Sequence, residues 1–388
     1  MEKLLGLIGI FLIVGFVYAI SPNKNKVNWK SVGTAFAFQI VLAFALIKTP
    51  LWKGVEGLSN IVNSVLGYAT TGIDFVFGGI SDGFVFFLNG LLPIVFISAL
   101  VGLAFHFGVL QKFVKIVGLT IAKIFKIDPI VAVNGVSNMF LGQSEALFVT
   151  KNYLPSAKDS VIFATLVGGM TSISASVVGL YASFGASMEW IIVSIPLTVF
   201  STFVLTQILM PTEYLEVDSL EVSSDGVGAN FIETMVNYGM AGFKGVVGIM
   251  VALIVFLSFV ALINGLLAPL GVTLEGIIGI IFYPLALIMG VPMAELGEVA
   301  QILATKLVTN EAVAFGLPLF ATLGIKAKAM ITVALCGFAG FGSIGILLGG
   351  YSAVAPNKTG VVAKLGLKAL LIATLVNIMS GAVVGLFL

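Results

Sequence analysis

The sequence predicts an all-α polytopic membrane protein: eight transmembrane helices with two re-entrant hairpins, interfacial helices and inverted repeats. Three observations carry that reading. Of the 388 residues, 59% are hydrophobic and a further 45 are glycine, while only 10% are charged. Soluble domains hold about 45–50% apolar residues with glycine included, and about 25% charged ones. The apolar residues also gather in runs close to the ~20 residues that a helix needs to cross a bilayer. Finally, two partly apolar stretches are interrupted by polar residues, and the two resemble each other.

The spans read in order as about 4–20, 32–49, 84–110, 160–183, 188–209, 237–266, 329–350 and 366–388. Glu2 and Lys3 ahead of the first run imitate a signal peptide, but Tyr18-Ala19-Ile20 offers no small-x-small cleavage site, so the helix is expected to be retained. The first short loop carries Lys24, Lys26 and Lys30 and is therefore assigned to the cytoplasm, which puts both termini outside. Lys112, Lys115, Lys123, Lys126, Lys358, Lys364 and Lys368 agree with this scheme; Lys326 and Lys328 do not. Four segments follow: 1–83, N-terminal helices and an interfacial segment; 84–210, a first repeat; 211–236, an acidic connector; and 237–388, a second repeat. The connector holds Glu213, Glu216, Asp218, Glu221, Asp225 and Glu233 and is expected to be solvated.

The interrupted stretches, Asp128–Leu154 and Gly290–Leu319, are broken by Gly, Pro, Asn, Gln and Glu. Non-helical backbone at membrane depth persists only where protein or a wet cavity satisfies it, so both are expected to be hairpins around a buried polar site. Gln111–Lys126 and Leu274–Leu287 are expected to lie along the membrane surface before them. Ser144-Glu145-Ala146 in the first hairpin is answered by Asn310-Glu311-Ala312 in the second, and Ser172-Ile173 by Ser343-Ile344, in the same order. An odd number of crossings between the halves would invert one relative to the other.

A carboxylate at the bilayer centre costs on the order of 2.5–3.5 kcal/mol, so Glu145 and Glu311 need either a ligand or a partner such as Lys306. Gln143 and Ser144 add donors and acceptors beside Glu145, and Phe338 adds an aromatic face, a set that suits a flat polar ring such as a nucleobase. Asn138 and Ser172 are neutral oxygen donors of the kind a partly dehydrated Na+ takes. His106 is expected to be a packed, hydrogen-bonded helix residue. With one histidine, one cysteine (Cys336) and no nucleophile–base pair, neither a zinc site nor a membrane enzyme is indicated. Nineteen lysines against 18 acids leave no basic surplus for nucleic acid.

The motifs Gly142-Gln143-Ser144-Glu145, Gly290-Val291-Pro292, Thr305-Lys306-Leu307-Val308-Thr309-Asn310-Glu311 and Cys336-Gly337-Phe338-Ala339 through Ser343-Ile344-Gly345-Ile346-Leu347 resemble the concentrative nucleoside transporter family. The resemblance implies a bacterial inner-membrane homotrimer that imports nucleosides by an elevator motion, with no cofactor beyond a coupling ion. It also implies that Gln143, Ser144 and Glu145 hold the nucleobase with Val177 and Phe338 packed on it, and that Glu311 and Ser343 serve the ribose. The Na+ ligands it implies are Asn138 and Ser172, with the carbonyls of Leu141 and Ile173. The family pattern has an asparagine where this chain has Gly340, which removes one ribose partner. Proton coupling and transport of free nucleobases stay open as alternatives; a passive channel sits poorly with two interrupted hairpins.

Overall fold

The computed structural model describes residues 2–78, 85–215, 220–223 and 227–388. Glu216, Asp218 and Asp225 of the acidic connector lie outside them. Among the described residues the regular secondary structure is all helical, without strands. Three N-terminal helices come first: α1 (Glu2–Ala19), α2 (Trp29–Lys48) and α3 (Leu51–Phe77). The Asn28 side chain caps α2 by accepting from Ser31 N. The long α3 is amphipathic and mostly exposed.

The element order then repeats. One set comprises α4 (Pro93–His106), α5 (Val109–Phe125), α6 (Pro129–Ser137), α7 (Glu145–Val149), α8 (Asp159–Thr171), α9 (Val178–Ser183) and α10 (Met188–Leu209). The other comprises α11 (Phe231–Leu267), α12 (Leu274–Met289), α13 (Leu296–Val308), α14 (Glu311–Phe315), α15 (Pro318–Thr322), α16 (Ile325–Leu335), α17 (Phe341–Val354) and α18 (Thr359–Phe387). Each hairpin is a helix, a break and a five-residue helix that opens on a glutamate: α6–α7 breaks over 138–144, and α13–α14 breaks at Thr309-Asn310.

The expected span at 329–350 is not continuous. Helix α16 stops at Leu335 and α17 starts at Phe341, so the apolar run hides a break over 336–340. Its glycines explain the break: a β-carbon on Gly337 would lie 2.3 Å from the Asn377 side-chain amide and 2.5 Å from the Thr171 carbonyl, so only glycine lets these segments cross. The 160–183 span is likewise split into α8 and α9 around Ser172-Ile173-Ser174. Among the described residues, seven helical segments, including the split α8–α9, are long and apolar enough to cross a membrane.

Contacts at the helix ends fix the relative direction of the two sets. At one end Ser21 Oγ donates to the Leu209 carbonyl, Lys358 Nζ to the Ala157 carbonyl and Lys158 Nζ to Glu213. At the other, Ser59 Oγ donates to Glu189, Trp52 packs on Trp190, and Lys326 pairs with Glu2 at 2.7 Å. Helices α8 and α18 therefore run from the first end to the second, and their counterparts α16 and α10 run back: the halves are inverted. The Glu2 carboxylate also gives Lys326, an exception to the lysine rule, a local partner.

Helix α10 and the second half of α18 are buried nearly all round, and α8 between them is buried along almost its whole length. Helix α11 is the opposite case, with Ile254, Leu257, Phe259, Leu262 and Leu266 exposed, an apolar surface suited to lipid or a neighbouring subunit. It packs on α4, where His106 Nδ1 meets Thr234 Oγ1 at 2.9 Å, the packed and hydrogen-bonded role expected of this histidine.

Candidate functional site

Two breaks and two hairpin turns meet around the expected polar residues. The first hairpin turn is anchored to both broken helices. Ala175 N–H donates to the Phe140 carbonyl at 3.2 Å, Gln143 Nε2 donates to Ser343 Oγ at 3.4 Å, and Ser144 Oγ donates to the Ile346 carbonyl at 3.4 Å. Gln143 is buried, and its Oε1 has no hydrogen-bond partner. Such an atom costs about 1–3 kcal/mol while unpaired, which favours a ligand carrying an N–H or O–H.

The Glu145 carboxylate folds back over the turn. A β-carbon on Gly142 would sit 2.2 Å from Glu145 Oε2, so the glycine makes room for it. Glu145 itself is exposed. On the second hairpin, Asn310 caps α14 by accepting from Val313 N, and half-buried Glu311 accepts from the Tyr181 hydroxyl at 2.9 Å. Among the described residues Glu311 forms no ion pair with Lys306. Tyr181 was not visible as a site residue: it lies in α9, outside the polar motifs, and only its stacking on Phe315 (centroids 4.9 Å apart) and its bond to Glu311 reveal it.

Asn138, Leu141, Ser172 and Ile173 are all buried. Asn138 Nδ2 donates to the Asn134 carbonyl and Oδ1, both at 3.0 Å, which leaves Asn138 Oδ1 buried without a donor. Gly168 lies against these amides, and its carbonyl accepts from Ser172 Oγ at 2.9 Å. No described group donates to the carbonyls of Leu141 or Ile173. Buried oxygens lacking donors can be satisfied by a cation as well as by a hydrogen-bond donor.

Val177 is buried at the end of a short 3-10 turn that leads into α9, Phe338 lies within the second break, and Ser343 lies just past it in the first turn of α17. Phe338 N–H donates to the Ser172 carbonyl at 3.3 Å, and Ser343 Oγ donates to the Phe338 carbonyl. The expected ion and substrate residues are therefore joined by hydrogen bonds. Gly340 brings no side chain to the site, and a β-carbon there would lie 3.2 Å from the Lys306 carbonyl and 3.5 Å from that of Thr309.

An inverted pair of helical halves with a polar site where two hairpins and two broken helices meet defines a secondary-transporter fold. The chain belongs to the Na+ dependent nucleoside transporter family: the N-terminal family model matches residues 8–80 and the C-terminal one residues 190–385. It is 33% identical to an uncharacterized transporter of Haemophilus influenzae over 100% of this chain and 98% of the relative. It is 30% identical to the nucleoside permease NupC of Helicobacter pylori, again over 100% and 98%. Among solved structures, CNTnw in an inward-facing substrate-bound state superposes with a TM-score of 0.94 at 30% identity, covering 100% of this chain and 98% of that one. A double variant of CNTnw in an outward-facing state matches equally well, at 29% identity over 100% and 99%. The family assignment expected from the motifs holds.

Proposed function

We propose that this chain is a Na+-coupled symporter that imports nucleosides across a bacterial cytoplasmic membrane by elevator-type alternating access, as a homotrimer with both termini outside. One observation carries the reading: the buried, unpaired Asn138 Oδ1 and Gln143 Oε1 lie on the same hairpin break, Asn138 against Gly168, whose carbonyl accepts from Ser172 Oγ, and Gln143 bonded through its Nε2 to Ser343. A cation at the first and a nucleobase at the second would each satisfy an oxygen that is otherwise costly to bury. Similarity to proteins described as a nucleoside permease and, in Bacillus subtilis, a purine nucleoside transport protein supports the choice of substrate.

In this reading Gln143, Ser144 and Glu145 bind the base, Val177 and Phe338 pack on it, and Glu311 and Ser343 hold the ribose, with Glu311 oriented by Tyr181. Na+ takes Asn138, Ser172 and the Leu141 and Ile173 carbonyls, and so fixes the hairpin turn that presents Gln143. By linkage the nucleoside raises Na+ affinity by the same factor. Uphill import follows when loaded and empty forms cross readily and partly loaded forms do not. The bare backbone at Gly340 favours a second reading, a carrier of free nucleobases that needs no ribose partner there.

Uptake of labelled uridine, adenosine and hypoxanthine into proteoliposomes separates these readings, with an inward Na+ gradient set against a proton gradient without Na+. Nucleoside accumulation that requires Na+ is expected, and it should be lost in Asn138→Ala. Accumulation of hypoxanthine alone would refute the ribose assignment, and drive by protons alone would refute the ion assignment.

A further inference from the structure

Lys306 is buried in the second hairpin, yet the symport scheme gives it no task. Its ammonium donates to the Ala334 carbonyl at 2.7 Å, one residue before the broken end of α16. In the orientation that satisfies both ends of the Asn377 amide, the Asn377 oxygen accepts from Lys306 Nζ at 2.6 Å and its nitrogen donates to the Thr171 carbonyl at 3.3 Å. Thr171 is the last residue of α8 and precedes Ser172 of the expected ion shell.

The inverted halves give this position a meaning. Helix α7 corresponds to α14, each opening on its glutamate, and α8 corresponds to α16, each ending at a break. In the first half the oxygens without donors lie between the first hairpin and the broken end of α8. In the second half the corresponding gap, between α13 and the broken end of α16, holds the lysine ammonium. A helix C-terminus concentrates orphan carbonyls and partial negative charge, which a cation satisfies in either half.

We propose that Lys306 is a positioning residue acting as a tethered cation: it occupies in the second half the place that Na+ takes in the first. The proposal rests on the Na+ symport reading. Because Lys306 does not dissociate, the second hairpin stays fastened to α16 and, through Asn377, to the end of α8 whether or not the protein is loaded. Only the first hairpin then has an ion to gain or lose, and one Na+ moves per nucleoside.

Two measurements test this with the whole protein. In proteoliposomes, whichever of uridine or adenosine shows Na+-dependent uptake is followed at imposed voltages, and the reversal potential gives the charge moved per neutral nucleoside. One charge is expected; two would overturn the proposal, and no Na+-dependent uptake at all would instead overturn the symport reading. In Lys306→Ala, nucleoside binding should weaken about tenfold or more, with partial rescue by ethylammonium, while the Na+ concentration for half-maximal effect stays within about twofold. Wild-type nucleoside affinity in the variant, or a folded variant that ethylammonium does not rescue, would overturn the proposal. The wild-type charge ratio decides it if the variant does not fold.

Discussion

The Phe338 amide donates to the Ser172 carbonyl at 3.3 Å, and this bond joins the break in one half of the molecule to the break in the other. From Phe338 the connection continues through the Ser343 hydroxyl to the Gln143 amide. Three hydrogen bonds thus span from the expected ion shell to the expected base-binding turn. Coupling between sites needs an element that both ligands bias. In the proposed scheme that element is the first hairpin turn, which Ser343 holds at 3.4 Å and which leaves an unpaired oxygen on each of Asn138 and Gln143.

Ser343→Ala removes the middle of that connection and leaves Asn138 and Gln143 in place. Nucleoside affinity in saturating Na+ is expected to fall about tenfold. The factor by which Na+ raises that affinity should shrink as well. Calorimetric titration of nucleoside with and without Na+ measures both; an unchanged factor would show that the ion acts on the turn by another route.

Tyr181→Phe deletes the hydroxyl that Glu311 accepts and keeps the ring on Phe315. The carboxylate loses its fixed orientation but not its charge. Binding of a nucleoside should weaken by about threefold to tenfold, a single hydrogen bond's worth, while binding of the free base stays within about twofold. Equal losses for nucleoside and base would place Glu311 away from the ribose.

Outside the membrane spans, Lys158 Nζ meets Glu213 Oε2 at 2.5 Å with both side chains largely exposed. The hydrogen bond and charge of Lys158 hold the Glu213 carboxyl below the usual glutamate range. A lowered folded-state value means that the pair contributes at pH above the ordinary glutamate value and is lost as pH falls through the lowered one. In a 13C NMR titration, Lys158→Gln should move the Glu213 midpoint up toward the ordinary value, as should high salt in the wild type. A midpoint indifferent to both would show that the pair does not form in solution.

The polar motifs made much of this architecture legible. Paired Ser-Glu and Asn-Glu triplets marked both hairpin turns, because a carboxylate in an apolar run has no cheap structural role. The break at 336–340 was harder to read, since Cys336, Phe338 and Ala339 are as apolar as a spanning helix and only the crossing of Gly337 with Thr171 and Asn377 explains it. Tyr181 and Asn377 escaped for a related reason. Each lies within a helix far along the chain from its partner, Glu311 or Lys306, and no local spacing links them. Lys306 was visible as a costly buried charge, but the backbone carbonyl and side-chain amide that its ammonium reaches lie far along the chain and were not.

Two glycines of the same motif separate packing from propensity. At Gly337 an added β-carbon would meet the Asn377 side-chain amide at 2.3 Å and the Thr171 carbonyl at 2.5 Å, and the backbone atom has no side-chain freedom with which to yield. Gly337→Ala is therefore expected to cost about 1–3 kcal/mol, as overpacking does, and to disturb the Lys306–Asn377–Thr171 connection. At Gly345, inside α17, nothing lies within 4 Å of such a carbon, so Gly345→Ala should leave stability unchanged or raise it by about 0.5–1 kcal/mol through reduced chain entropy. Thermal unfolding midpoints of the two variants in detergent read out the contrast. Equal midpoints would mean that the two broken helices do not cross as closely as Gly337 requires, and the bond from Phe338 to Ser172 would lose its structural basis with them.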